Sequence, residues 1–565
     1  MTSTIQLDTY QQAAVDCMDP RVSVIASPGS GKSKMLVSKY THLVHDLLIP
    51  PSRIVVLTFS RQAAKELRER IGEDASGAYV GTIHSFCLNL LQMYGSTRQW
   101  EMEWATILDA EEVRLDLEEI LNDNGIRRKG KWTLVTKKDW DKFVLRTVCG
   151  ERRRDENPQL ILAWDAFEDR LRAENVLTYD MLESEALELI TGPHGDEIRE
   201  RYRIGLIDEV QDCSSMDWAV LRALAFEHMT VVGDPRQTLY EWRGGRPELF
   251  REFSADATAM QLPYSYRFDV HIAAPANALM GHADDGLEMA IDAIGTNQGS
   301  VHVLRDLPFE GVPDIITKEL LNGTLPGDIA ILARKHSTLD MVEPVLDDSG
   351  IPFVRIGGNN SIDKMPEFRV VRGYMRLAVN PLDRRAFMAI TPAEHLPEDE
   401  ILTIKRHAIM DDVSMVEAYG KSLPADLEQI HAKVTTSLPD GDWDPVFEYL
   451  AAVCEREAIT KLPELVQHLA MGAETDQFAS DVTRAAVTLS TVHSSKGREW
   501  PVVVVLGLNA KSLPSPMAVR DGFLASERCC CFVALTRAED RLYVINTVPT
   551  TKDDGPSPFL KEMNL

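Results

Sequence analysis

The stretch that most narrows the possible folds is Arg21 to Ser33, RVSVIASPGSGKS. Val22, Val24 and Ile25 predict a short buried strand, and Pro28-Gly29-Ser30-Gly31 a tight turn. Lys32-Ser33 then opens a helix running through Met35, Leu36, Val37 and Tyr40. A strand that turns through glycines into a helix N-terminus builds an anion site, because backbone N–H groups and the positive end of the helix dipole face one point. Lys32 adds a point charge there, and a Ser33 hydroxyl is suited to ligate magnesium. The general phosphate-loop pattern has glycine where this chain has Ala26, while Gly29, Gly31, Lys32 and Ser33 stay in register.

A loop of this kind belongs to a parallel sheet wrapped by helices. Strand and helix alternate over residues 1–90, with a buried-strand run at Ile54–Phe59 and a helix at Arg61–Ile71. Residues of about 92–200 turn helical, charged and locally basic, and carry Trp100, Trp104, Trp132, Trp140 and Trp164. Alternation returns at Ile204–Ile207 and Thr230–Val232, then begins again from about Tyr266 with strands at Val301–Leu304 and Asp328–Ala333. After a second helical stretch come strands at Val487–Val492, Val502–Leu508 and Leu542–Ile545. The economical organisation is α/β throughout. One domain is built from 1–91 and 200–265 with a helical insertion over 92–199; the other comes from 266–383 and 481–565 with a shorter helical insertion over 384–480.

The net charge of −27 excludes a generic polyanion binder, so any nucleic-acid surface must be a local basic groove on an acidic body. One run qualifies: Arg127, Arg128, Lys129, Lys131, Lys137 and Lys138, followed by Arg152-Arg153-Arg154. No apolar run approaches the roughly 18 residues needed to cross a membrane, and the polar start MTSTIQLDTYQQ has no secretory pattern. Eight cysteines, dispersed except for Cys529-Cys530-Cys531, match neither zinc spacing nor a disulfide framework. A reducing, cytoplasmic setting is expected, and the compact size fits a phage or bacterial source.

Ile204–Ile207 leads into Asp208-Glu209-Val210-Gln211-Asp212. A short apolar strand delivering two carboxylates at its C-terminal end suits a nucleotide hydrolase, with Asp208 holding magnesium and Glu209 activating water.

Several longer stretches together resemble the UvrD/Rep family of superfamily 1 DNA helicases, from Leu7 nearly to the C-terminus. Leu7–Val15 resembles that family's adenine-reading motif, and Val55–Ile71 and Gly81–Leu91 its next two motifs. DEVQD is close to the family's DEFQD, and VGDPRQTLYEWRGG (Val232–Gly245) resembles VGDDDQSIYGWRGA. Tyr266-Arg267 matches a YR pair, and Asp328–Asp383 resembles the second motor's DNA-side segments. Val487–Leu508 and Ser526–Val544 resemble the last two motifs, the latter written EERRLAYVGVTRA in the family.

The resemblance implies two RecA-like P-loop NTPase motor domains, each interrupted by a helical insertion. It implies ATP and Mg2+ as cofactors. ATP would meet Gln11, Ser27, Pro28, Gly29, Ser30, Gly31, Lys32, Ser33, Lys34, Tyr266 and Glu499, with the metal on Ser33 and Asp208. Catalysis would rest on Lys32, Asp208, Glu209, Gln237 and two arginine fingers, Arg267 and Arg537. Single-stranded DNA would meet Phe59, His84, Tyr240, Trp242, Arg243, Arg334, Thr491 and His493, where aromatic faces stack on any base. The implied activity is 3′ to 5′ translocation with duplex unwinding, on single strands and strand–duplex junctions, by a protein that is monomeric in isolation. The alternative is a DNA-dependent translocase that displaces proteins, or serves a larger complex, and unwinds poorly alone.

Some residues depart from the family's wording. Ser27-Pro28 stands for Gly-Ala, Ser33 for Thr, Pro235-Arg236 for two acidic residues, and CCCF (Cys529–Phe532) for RLAY. The second insertion is shorter than the family's usual one, and neither its C-terminal extension nor a nuclease domain is expected.

Overall fold

The computed structural model describes residues 6–96, 100–128, 131–132, 136–137, 139–140, 143–144, 157–241, 244–283, 289–295, 299–356, 362, 365–471, 485–548 and 554–565. Two six-stranded sheets dominate it, and every strand pairing within them is parallel. The first runs in the order Thr258–Leu262, Arg21–Ala26, His228–Gly233, Ile204–Ile207, Ile54–Thr58, Tyr79–Thr82. The second runs Ser300–Leu307, Ala538–Thr547, Trp500–Leu506, Ile329–Ala333, Val487–Thr491, Phe353–Ile356. The central strands are apolar on both faces because helices cover both, which is why they read as continuous Val/Ile/Leu runs. This is the two-sheet α/β architecture the sequence predicts.

Sheet order decides where chemistry collects. Arg21–Ala26 lies beside His228–Gly233, which lies beside Ile204–Ile207. The phosphate loop, Asp234 and Asp208 therefore emerge side by side at the strands' C-terminal ends, the edge at which open α/β sheets bind ligands.

Two helical bodies accompany the sheets. Trp100, Trp140 and Trp164 are buried in the first, with Phe143 and Phe167, and their cluster continues into the first sheet's helices. The second is built on Phe368, Val371, Tyr374, Phe387, Ile390, Ile430, Val446 and Leu450. Its first helix is Pro366–Val379, upstream of the boundary expected at 384. Phe368, Val371 and Met375 recur on one face and pack on Phe387 and Ile390, so this segment joins the helical body rather than the sheet.

The two bodies are clamped by charge. Helix Ala110–Asp123 presents Glu112, Asp116 and Glu119 to arginines of helices Pro366–Val379 and Arg384–Ile390. Arg376 bonds Glu112 at 2.5 Å and Asp383 at 2.8 Å, and Arg372 bonds Asp109 at 2.8 Å. Arg384 bonds Asp116 at 2.9 Å, Glu119 at 2.9 Å and Glu174 at 3.0 Å, while Arg385 bonds Asp116 at 2.6 Å. Asn380 adds bonds to the Glu174 and Asn175 carbonyls. Among the described residues, no helix is long and apolar enough to cross a membrane.

Candidate active site

Gly29 and Gly31 hold left-handed backbone angles, with φ of +73° and +75°. A Cβ on Gly29 would lie 2.5 Å from the Arg267 Cβ, and one on Gly31 would lie 2.8 Å from the Gln11 Nε2. The loop is thus a close-fitting backbone cradle leading into helix Lys32–Thr41. The buried hydroxyl oxygens of Ser30, in the loop, and Ser265, against Gly29, have no hydrogen-bond partner among the described residues. These are unspent polar groups of the kind a phosphate cradle needs. Gly29→Ala is expected to abolish binding of a fluorescent ATP analogue while leaving far-UV circular dichroism unchanged, because the strain and the clash with Ser265 and Arg267 are confined to the site.

The residues expected around adenine are tied to this loop. Asp8 caps helix Thr9–Asp16, and Gln11 donates from Nε2 to the Ser30 carbonyl at 2.8 Å. The Tyr266 hydroxyl donates to Asp8 Oδ2 at 2.6 Å, and the Tyr266 N–H to the Gly29 carbonyl at 3.0 Å. Lys34 points back to the Gln6 carbonyl at 2.5 Å. Lys39, fully buried, closes the far end of the same helix by donating to the carbonyls of Ala14, Val15 and Cys17 at 3.1, 3.3 and 2.6 Å. Lys39→Met would orphan those three carbonyls and loosen Gln11. It is expected to raise the KM for ATP several-fold with a smaller change in kcat, read by steady-state hydrolysis.

At the end of strand Ile204–Ile207 the two carboxyls diverge. Burial, then the adjoining Glu209, pushes the Asp208 carboxyl up to about 6. For Glu209 burial also acts upward, but Lys32 and Lys496 together outweigh it and hold the group ionised, well below the usual range. Lys32 donates to Glu209 Oε1 at 2.5 Å, Gln211 to Oε2 at 2.5 Å, and Lys496 lies 3.6 Å from Oε2. Glu209 itself sits at φ +55°, a strained setting for a non-glycine residue and one found at functional sites. The carboxylate is ionised and oriented, as a proton acceptor must be, while the two lysines lower its basicity. The Ser33 hydroxyl and the Asp208 carboxyl are hard oxygen donors of the kind that fit Mg2+.

From the second sheet, Arg537 is buried and donates to Gln237 Oε1 at 3.2 Å and to the Val533 and Arg498 carbonyls. Burial first, and then the neighbouring Arg267, pushes its pKa down, so an anion placed here would be strongly held. Arg267 packs over Gly29, bonding Glu499 through Nε at 2.6 Å and the Thr536 carbonyl at 2.7 Å. Glu499, expected at the ribose, thus pairs with Arg267, expected to be the first arginine finger.

Lys496 carries no role in the sequence motifs above, yet it pairs with the buried Asp212, donates to the Gln237 carbonyl at 3.0 Å and reaches Glu209. Its position inside HSSKGREW was the available signal. Asp234, which accepts from Gln237 Nε2 at 3.0 Å, was likewise unassigned.

The expected DNA side is only partly assembled. Phe59 is 37% exposed and stacks on Tyr240 with ring centroids 4.8 Å apart. His493 of the second sheet's loop meets Tyr240 edge-on at 6.3 Å. Tyr240 itself is 6% exposed and belongs to an apolar cluster, so it does not present the open face expected of it, whereas Phe59 is partly exposed. Arg334, expected to face DNA, is neutralised by Glu527 through bonds of 2.8 and 3.1 Å and anchors helix Leu524–Leu535. Thr491 is buried and bonds Ser494, which makes it a turn-former. His84 turns its Nε2 to the buried Glu183 at 3.3 Å. Trp242 and Arg243 lie outside the described residues. In the basic run, Arg127 pairs with Glu118 at 2.8 Å and Lys131 and Lys137 are exposed; the Arg128 side chain, Lys129, Lys138 and Arg152–Arg154 lie outside the described residues.

Residues 7–258 match the profile of the UvrD/REP helicase N-terminal domain, and residues 445–548 that of the UvrD-like helicase C-terminal domain. The ATP-dependent DNA helicase PcrA of Staphylococcus aureus is 23% identical over 634 aligned residues, covering 99% of this chain and 86% of that protein. PcrA of Staphylococcus epidermidis is 22% identical over 638 residues, with the same coverage.

Proposed function

This chain belongs to the UvrD/Rep helicase family, and we propose that it is an ATP-driven DNA motor that moves 3′ to 5′ along one strand and unwinds duplex ahead of it. The observation that carries this reading is the convergence of groups from both sheets on one loop. Lys32, Glu209 and Gln237 come from the first sheet, Lys496 and Arg537 from the second, and Arg267 from the crossing between them. A single-sheet ATPase has no need of Arg537 on Gln237; a motor that couples hydrolysis to movement between two bodies does.

In this mechanism Lys32 and the loop N–H groups hold the β- and γ-phosphates, and Arg267 and Arg537 meet the charge that spreads over the γ-phosphoryl oxygens. Water attacks the γ-phosphorus, its proton passes to the Glu209 carboxylate, and the bond to the β-phosphate oxygen breaks with ADP taking the electron pair. Ser33 and Asp208 would hold Mg2+, which would supply charge neutralisation there. ATP draws the sheets together through the two arginines, and hydrolysis removes that bridge. Phe59 and His493 lie on opposite sides of the same boundary, so a strand stacked there feels each closure.

The decisive experiment measures ATP turnover with no nucleic acid, single-stranded DNA, duplex DNA and RNA, followed by strand displacement on 3′- and 5′-tailed duplexes. Stimulation by single-stranded DNA with displacement from 3′ tails alone is the expected result. Turnover indifferent to all three additions would overturn the motor. Stimulation without displacement would leave the protein-displacing translocase. Phe59→Ala is expected to weaken single-strand affinity about 5- to 100-fold, the worth of one stacked base, in a fluorescence-anisotropy titration.

A further inference from the structure

Three of the chain's departures from its family's wording meet at one side chain. Arg236 is 2% exposed and makes a forked pair with Asp234, Nε to Oδ1 at 2.8 Å and Nη2 to Oδ2 at 3.1 Å. Nη2 also lies 3.4 Å from the hydroxyl of Ser27, at the entrance to the phosphate loop. Nη1 donates to the Met289 carbonyl at 2.7 Å. The guanidinium stands 5.3 Å from the ring centre of Phe532, on the second sheet's helix Leu524–Leu535. Beside it, the Cys529 thiol of that helix approaches the Pro235 carbonyl at 3.8 Å. Ser27, Pro235-Arg236 and Cys529–Phe532 are the positions at which the family writes glycine, two acids and RLAY.

We propose that Arg236 is a positioning residue that couples the phosphate loop to the second motor, and that Ser27 and Phe532 are its two ends. The proposal rests on the motor reading above. Asp234 receives Arg236 on both oxygens and Gln237 on the Oδ2 it shares with Arg236, and Gln237 receives Arg537. Displacement of helix Leu524–Leu535 is therefore transmitted to Gln237 and to Ser27 through one planar cation held by four hydrogen bonds. A lysine cannot replace it, because a point charge satisfies Asp234 but cannot also reach Ser27 and Met289 while keeping a flat face to Phe532.

The test compares Arg236→Lys with wild type in ATP turnover with and without single-stranded DNA, in binding of a fluorescent ATP analogue, and in thermal unfolding. Arg236→Lys is expected to lower DNA-stimulated kcat about tenfold while nucleotide affinity, basal turnover and melting temperature stay near wild type. Phe532→Leu, which removes the ring but keeps the core filled, should give the same signature and add little to Arg236→Lys in the double variant. Unchanged stimulation in Arg236→Lys overturns the proposal, as does a parallel fall in stimulation, affinity and melting temperature, which would make Arg236 merely structural. Wild type that DNA does not stimulate is a failure of the motor reading itself.

Discussion

Glu209→Gln is expected to lower DNA-stimulated kcat about 10²- to 10⁴-fold, the range for loss of a general base, while single-strand affinity stays within about twofold. The amide keeps the shape of the carboxylate and its bond to Lys32 through the carbonyl oxygen, but it cannot take a proton from water. Lys32→Ala reaches the same loss by another route, since it removes a phosphate contact, and so should also weaken nucleotide binding. Steady-state hydrolysis read alongside binding of a fluorescent ATP analogue separates the two. Wild-type turnover in Glu209→Gln would remove this residue from the chemistry and leave Asp208 as the remaining carboxylate at the strand end.

The second large effect concerns stability. Arg376 is 2% exposed and Asp383 is fully buried, so Arg376→Ala leaves Asp383 and Glu112 without their shared cation. Removing one partner of a buried pair costs about 3–5 kcal/mol. The loss should fall on the helical bodies, and hydrogen exchange in helices Ala110–Asp123 and Pro366–Val379 should speed up well before the sheets respond. Arg369 and Glu111, 3.6 Å apart on the same two helices with both side chains more than half exposed, form the internal control. Arg369→Ala should change stability by less than about 1 kcal/mol. Equal effects from the two alanine variants would mean that burial does not govern this interface.

Much of the architecture is legible in the chain itself. The phosphate loop, the DE pair and the Val/Ile runs each state their local structure, and parallel strands buried on both faces leave a strong apolar signal. The weaker strands Tyr79–Thr82 and Thr258–Leu262 were not legible, because edge positions tolerate polar and small residues. Pairing of charges was harder still. Arg334 and Arg127 look like free cations in sequence and are ion-paired in space, since a contact across some 190 residues, such as Arg334 to Glu527, has no local signature. Tyr240 shows the same limit for aromatics, for its neighbour Phe59 lies on a distant strand end. Lys39, Lys496 and Asp234 act by closing networks, and of the three Lys39 alone has no motif around it.

The arginine clamp has a mechanical consequence. The chain passes once from the first sheet to the second, between Thr258–Leu262 and Ser300–Leu307, and the insertions join the same two bodies again elsewhere. An object hung from one pin can swivel in any direction, whereas one hung from two can only swing about the line through them. With the clamp intact, the opening and closing proposed above would reduce to a single angular coordinate. One distance reporter spanning the cleft would then record the whole stroke, and cutting the clamp would turn that hinge into a ball joint.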